Sequence, residues 1–165
     1  MTLSYATQPD ELSRQFDELW KKNMDAVGLR LTMFKGQWPE QLKMARAGQL
    51  MIWQLGYTAA DPDAQGALQL LYGPGAGGQN LPRFKHARFD EIYERMQAMP
   101  DGPERLALLH EALKIVTALV PHKYNVHRIV TDLTQPWLQG YRRHPFSRQF
   151  WQYVDVDPVL RPKVN

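Results

Sequence analysis

Hydrophobic spacing switches period four times within the first 55 residues of the chain. Leu3 to Ala6 is a short apolar segment that suits a strand. Thr7 then reads as a helix N-cap, with Pro9 in the first turn and Asp10 closing a capping box. Leu12, Phe16, Leu19, Trp20, Met24 and Val27 follow at helical spacing, and Gly28 is placed to end that helix. Alternation returns with Leu29, Leu31 and Met33 on one face and Arg30 and Thr32 on the other. A shorter helix is predicted over Pro39 to Ala47, stopping at Gly48. The nearly continuous apolar run from Leu50 to Leu55 fits a strand buried on both faces. Strand, helix, strand, helix, strand in that order calls for an α/β unit with right-handed crossovers and some parallel pairing.

The texture changes between Gly56 and Phe84, where glycines are dense and Pro62, Pro74 and Pro82 interrupt. Only Ala67 to Tyr72 looks helical there, and so long an irregular stretch in a small domain is often a binding segment. Phe89, Ile92, Tyr93 and Met96 mark the next helix. Another starts with Asp101 as cap, Pro103 and Glu104, and its expected buried stripe is Leu106, Leu109, Leu113, Val116 and Val120 before Pro121. Lys123 to Leu133 reads as a further strand. The remainder, Gln135 to Asn165, is aromatic and basic with weak periodicity, and there is no internal repeat.

Composition narrows the function classes. At 165 residues with 44% apolar and 22% charged side chains, the chain supports one domain with a genuine core. No apolar run approaches the ~20 residues of a membrane helix, and Met1 to Asp10 shows no signal-peptide pattern. Cysteine is absent, which removes disulfides, thiol chemistry and Cys-ligated zinc. A net charge of +3 is weak for a nucleic-acid binder.

Motifs of catalysis are missing. There is no Gly-x-Ser-x-Gly elbow and no His-Glu-x-x-His pair. His122 and His127 have no zinc-site spacing and read as surface or hydrogen-bonded residues. Gly73-Pro-Gly-Ala-Gly-Gly78 lacks the lysine and hydroxyl residue of a phosphate loop and reads as a flexible rim loop. Asp61-Pro-Asp-Ala-Gln-Gly66 resembles the start of a calcium loop, but Tyr72 stands where the bidentate acid belongs, so a turn is the simpler reading. Arg142, Arg143, His144 and Arg148 among Trp137, Tyr141, Phe146, Phe150 and Trp151 fit either single-stranded nucleic-acid binding or a tail packed on another domain. The lack of a basic stripe elsewhere favours the packed tail, and no nucleic-acid partner is expected.

Four segments, in order, resemble the family 5 extracellular solute-binding proteins, the oligopeptide-, dipeptide- and nickel-binding components of ABC importers. They are Leu19 to Leu31, Gln49 to Ala59 followed by Asp61-Pro62, Asn80 to Met96, and Pro103 to Pro121. The resemblance covers Thr2 to about Leu133 and implies the carboxyl-terminal lobe only of a two-lobed periplasmic protein. On that reading the fold class is α/β: a three-layer lobe with a mixed, partly parallel sheet flanked by helices. Residues 1–134 form the lobe, and residues 135–165 are an irregular tail that packs on the first lobe.

The resemblance further implies capture of a peptide-like or other small solute for an ABC permease, peripheral to the membrane. It implies no catalysis and no cofactor. Its site residues are Tyr57, where the family often has a cleft tryptophan, with Thr58, Ala59, Asp61 and Asn80 along the same wall. Trp53 lies on the same strand and is expected in the core. Peptide-binding members place an aspartate shortly after Gly-Trp-x-x. This chain has Ala59-Ala60 and a shorter path to Asp61, which leaves Asp61 open to substitution for that aspartate or to a turn. The alternative reading is a stand-alone interaction domain that forms homo-oligomers through the aromatic tail.

Overall fold

The computed structural model describes residues 1–127, 129–147 and 149–161. Arg148, one of the basic residues singled out above, lies outside the described residues. The chain divides into two compact units, Met1–Tyr57 with Ala64–His122, and Thr58–Asp63 with Lys123–Asn165.

The first unit opens with the alternation expected of it. β1 (Thr2–Thr7), α1 (Glu11–Asp25), β2 (Arg30–Lys35), α2 (Trp38–Ala47) and β3 (Ile52–Trp53) follow one another. The sheet order is β2-β1-β3, and both pairings are parallel. β1 and β2 pair along six residues, from Thr2↔Arg30 to Thr7↔Lys35. A chain that pairs neighbouring parallel strands needs a crossover after each, and α1 and α2 supply them.

Thr7 is not the cap of α1. Its backbone belongs to the β1–β2 ladder, and the helix starts three residues later. Asp10 is the N-cap, its carboxylate accepting from the Ser13 amide at 2.9 Å and the Ser13 hydroxyl at 2.7 Å. The end of α2 follows expectation, because Gly48 adopts φ +72 and closes the helix. The Leu50–Leu55 run is not a strand buried on both faces. Only Ile52 and Trp53 pair, at the sheet's edge, and Met51 is 64% exposed.

The larger core lies among helices. α3 (Gln65–Gln69), α4 (Ala87–Gln97) and α5 (Pro103–Leu119) gather Leu68, Leu71, Phe89, Ile92, Tyr93, Met96, Leu108, Ala112 and Val116 into one cluster. α4 is capped by His86, whose Nδ1 accepts from the Phe89 amide at 3.2 Å. α5 departs from expectation in two ways. Asp101 does not cap it; the cap position is Gly102, and Asp101 instead pairs with Arg105 at 3.1 Å. The buried stripe is also partly rotated: Val116 is buried and Leu109 packs on the core as expected, but Leu108, at 8% exposed, faces inward, whereas Leu106 and Leu113 are 50% and 45% exposed. Leucines occupy most turns of this helix, so spacing alone does not single out a face. The packing of α4 does.

The second unit contains a small antiparallel ribbon, β4 (Leu138–Gln139) and β5 (Asp155–Val156), with a 3-10 turn over Phe150–Tyr153. The boundary expected near Gln135 lies inside this unit. Among the described residues of Lys123 to Leu133 there is no strand. The apolar residues of that stretch, Val126, Ile129, Val130 and Leu133, are exposed. An apolar run becomes a strand only where an unpaired neighbour accepts it, and no ladder forms here.

Candidate functional site

In a parallel sheet, strand carboxyl ends are where ligands usually meet the fold. The carboxyl ends of β1 and β3 are joined by a single buried amide. Gln41, on the first turns of α2 and 1% exposed, donates from Nε2 to the Thr7 carbonyl at 2.5 Å. The same carbonyl accepts from the Gly36 amide at 3.0 Å, just past β2. Gln41 Oε1 accepts from the Trp53 indole nitrogen of β3 at 3.0 Å. Trp53, expected in the core, is half-buried and hydrogen-bonded there. Next to it, the Tyr5 hydroxyl donates to Gln54 Oε1 at 2.8 Å.

The chain leaves β3 through Gln54, Leu55 and Gly56 and presents Tyr57, which is 53% exposed. Its hydroxyl makes only a long contact with the Gly66 carbonyl at 3.4 Å. Thr58, Ala59 and Asp61 belong to the second unit. Thr58 is exposed, Ala59 is partly covered, and the Asp61 carboxylate accepts from the Asp63 amide at 3.0 Å in an Asx turn. Asp61 therefore makes a turn, as one of the two readings of that residue had it.

Asn80 sits differently from the other four candidates. It is fully buried, and its Nδ2 donates to the carbonyls of Tyr72 at 3.0 Å and Phe84 at 2.8 Å. Its Oδ1 accepts from the Phe84 amide at 3.0 Å. With both donor hydrogens and the oxygen in use, it braces the loop that precedes α4. The glycine-rich segment is likewise no flexible rim loop. Gly77 donates to the Asn80 carbonyl and Asn80 to the Gly75 carbonyl, each at 3.1 Å. Arg83, at φ 56, reaches across to the Arg46 carbonyl at the end of α2 with its guanidinium at 2.5 Å. Gly48 itself, at φ +72, holds a left-handed conformation that side chains rarely adopt, and a Cβ there would also push the Arg83 guanidinium aside.

Sequence reading missed this bracing because its partners lie far apart along the chain. Gln41 carried no motif signal: a glutamine on a short helix reads as solvent-facing until the sheet closes over it.

Two tyrosines in this unit hold their protons unusually tightly. The Tyr72 hydroxyl donates to Glu94 Oε1 at 2.6 Å, and that bond, with some loss of solvent, pushes its pKa up to about 12. Tyr5 is raised by burial first and by the Asp17 charge second. A native pKa above the unfolded value of about 10 means that the native state keeps protons the unfolded chain releases. Stability from both groups is thus complete below about pH 10 and is lost as pH rises through the native values. Urea midpoints should fall between about pH 10 and about pH 12, and Tyr72→Phe should flatten that fall. An unchanged slope in Tyr72→Phe would remove Tyr72 as a cause.

The second unit has its own concavity, a groove of about 450 Å³ lined by Asp132, Trp137, Leu138, Tyr141, Phe150 and Trp151 among others. Phe150 stacks at a tilt on Trp151, centroids 4.3 Å apart, and meets Tyr141 edge-on at 5.0 Å. Asp132 forms a two-pronged pair with Arg143, and this pairing holds its carboxyl below the usual range. His144 Nδ1 accepts from the Phe146 and Ser147 amides, a turn role. Among the described residues no cluster of three or more His, Asp or Glu is placed to hold a metal.

The same arrangement of strands and helices recurs in solved proteins. HbpA2 from Haemophilus parasuis superposes over 94% of this chain and 32% of its own, with a TM-score of 0.71 at 18% identity. By sequence, Di/tripeptide-binding protein 2 of Pseudomonas aeruginosa is 26% identical over 142 residues, covering 85% of this chain. The chain is homologous to periplasmic solute-binding proteins. Its relatives are the dipeptide-, oligopeptide- and haem-binding members of solute-binding family 5. They include Heme-binding protein A of Haemophilus influenzae, 24% identical over 87% of this chain. The chain spans about a quarter of the length of the curated relatives it matches, 27% and 26% for these two. No family model matches it. The α/β class with a parallel sheet flanked by helices is therefore shared with periplasmic binding-protein folds.

Proposed function

We propose that the chain forms one wall of a solute-binding cleft in the periplasmic component of an ABC importer. The observation that carries this is the exposed Tyr57 ring at the carboxyl edge of a parallel sheet, in a homologue of solute-binding proteins. On this reading Tyr57 stacks on the solute, backbone groups of Thr58 and Ala59 hydrogen-bond to it, and Asp61 shapes the wall through its turn. Asn80 holds the loop before α4 and makes no contact with the solute on this reading. Closure of a second lobe excludes water, and the solute passes to the permease. The site performs no chemistry, in keeping with relatives that are binding proteins.

The 165 residues alone offer one side of such a cleft, and a solute held on one face keeps much of its hydration. A dipeptide titrated into the chain is expected to bind more weakly than about 1 mM, roughly −4 kcal/mol. Nuclear magnetic resonance at millimolar dipeptide should still show shifts confined to Leu55–Asp61, absent in Tyr57→Ala. Shifts elsewhere, or none, would remove Tyr57 from the wall, and a sub-millimolar constant by calorimetry would overturn the half-cleft reading.

The aromatic groove of the second unit supports a companion proposal, that the tail packs on the first lobe of a binding protein. A second reading, association between copies of this chain through the same surface, is favoured by the exposure of Trp151 and Tyr153.

A further inference from the structure

β3 is held to the sheet by two cross-strand pairs, Tyr5↔Ile52 and Ala6↔Trp53, and its outer edge carries no further strand of this sheet. So short an edge strand gives the chain beyond it little backbone restraint. Yet Tyr57 follows Trp53 by only four residues, and a Cβ placed on Gly56 between them would meet nothing within 4 Å. The direction of this segment has to come from side chains.

We propose that Gln41 is the positioning residue for Tyr57, acting through Trp53. This inference rests on Tyr57 as the solute-contacting ring. The primary amide is one of the few groups that donate and accept from adjacent atoms, and both ends are engaged: Nε2 on the Thr7 carbonyl and Oε1 on the Trp53 indole. Gln41 is buried, so water cannot replace either partner if one is removed. Its own position is set by the short connection from β2, where Gly36 donates to Thr7 and Gln41's amide bonds to the Gln37 carbonyl at 3.0 Å. Gly36 leaves room for this: a Cβ there would lie 3.5 Å from Gln41 Cγ and Nε2. The clamp therefore ties α2 and the end of β1 to the Trp53 ring at the start of the Tyr57 segment. The Tyr5–Gln54 bond secures the next residue along.

The test uses the full 165-residue chain and two-dimensional magnetic resonance. In Gln41→Met, which keeps the volume and loses both hydrogen bonds, the amides of Leu55 to Tyr57 and the Tyr57 ring should shift. Their hydrogen exchange should quicken roughly tenfold, while the Phe89 and Met96 signals stay in place. Trp53→Phe removes only the indole donor and should move the same signals, which keeps the test available if Gln41→Met is poorly folded. Gln41→Glu separates hydrogen bonding from packing. Its carboxylate lacks the donor at neutral pH, whereas the protonated acid regains both a donor and an acceptor. Tyr57 signals should therefore be displaced at neutral pH and return toward wild type in acid, each compared with wild type at the same pH. Unmoved Tyr57 signals in Gln41→Met and Trp53→Phe, or a Gln41→Glu displacement that acid does not reverse, would overturn the proposal. A wild-type chain indifferent to dipeptide, with Gln41 variants that still move Tyr57, would leave the clamp standing and remove the solute wall instead.

Discussion

Phe89→Ala should cost about 3–5 kcal/mol, a large part of the stability of a domain this size. Phe89 is fully buried at the centre of the helical cluster and meets Phe84 edge-on with centroids 5.5 Å apart. Removing the ring leaves a cavity bordered by residues of α4 and α5, whose backbones are hydrogen-bonded within their helices and cannot collapse into it. The loss then exceeds simple transfer of the ring to water. Urea unfolding should show a lower midpoint with little change in slope. Leu106→Ala is the matched control. That leucine belongs to the stripe expected from spacing but is half exposed, so its loss should stay within about 0.5 kcal/mol. Equal costs at the two positions would mean that α5 buries the face bearing Leu106 and Leu113 and not the one bearing Leu108 and Ala112.

The second large effect falls on a candidate ligand residue. Asn80→Ala leaves two carbonyls and one amide without their side-chain partner, those of Tyr72 and Phe84. An orphaned buried polar group costs about 1–3 kcal/mol, and partial access of water to the loop reduces the sum to about 2–4 kcal/mol. Asn80→Asp retains the acceptor for the Phe84 amide and loses both donors, so it should fall between wild type and alanine at neutral pH. Thermal unfolding measures both variants. An Asn80→Ala chain of wild-type stability that no longer responds to dipeptide would return Asn80 to the ligand-contacting set. A strongly destabilised chain would confirm the brace.

Much of the fold was legible because it depends on short-range physics. The alternation around Leu31 and Met33, the helical spacing from Leu12 to Met24, and Gly48 in the left-handed region each follow from a few consecutive residues. The family resemblance pointed to Tyr57, which is exposed four residues beyond Trp53. Errors arose where two local solutions were equally good. Thr7 and Asp10 both suit an N-cap, and the ladder to Lys35 decided between them. Lys123 to Leu133 has the composition of a strand, and its described residues form none.

By itself, then, the sequence determined the α/β order, the parallel β1–β2 pairing that the order demands, and the likeness to solute-binding proteins. Tertiary structure alone decided which leucines of α5 are core, that β3 is a two-residue edge, and that Asn80 braces a loop. It alone also showed that Gln41 joins the ends of β1 and β3. The reason is common to all four. Burial and hydrogen-bond partnership are properties of pairs of residues from different segments, and periodicity describes each segment without its partner.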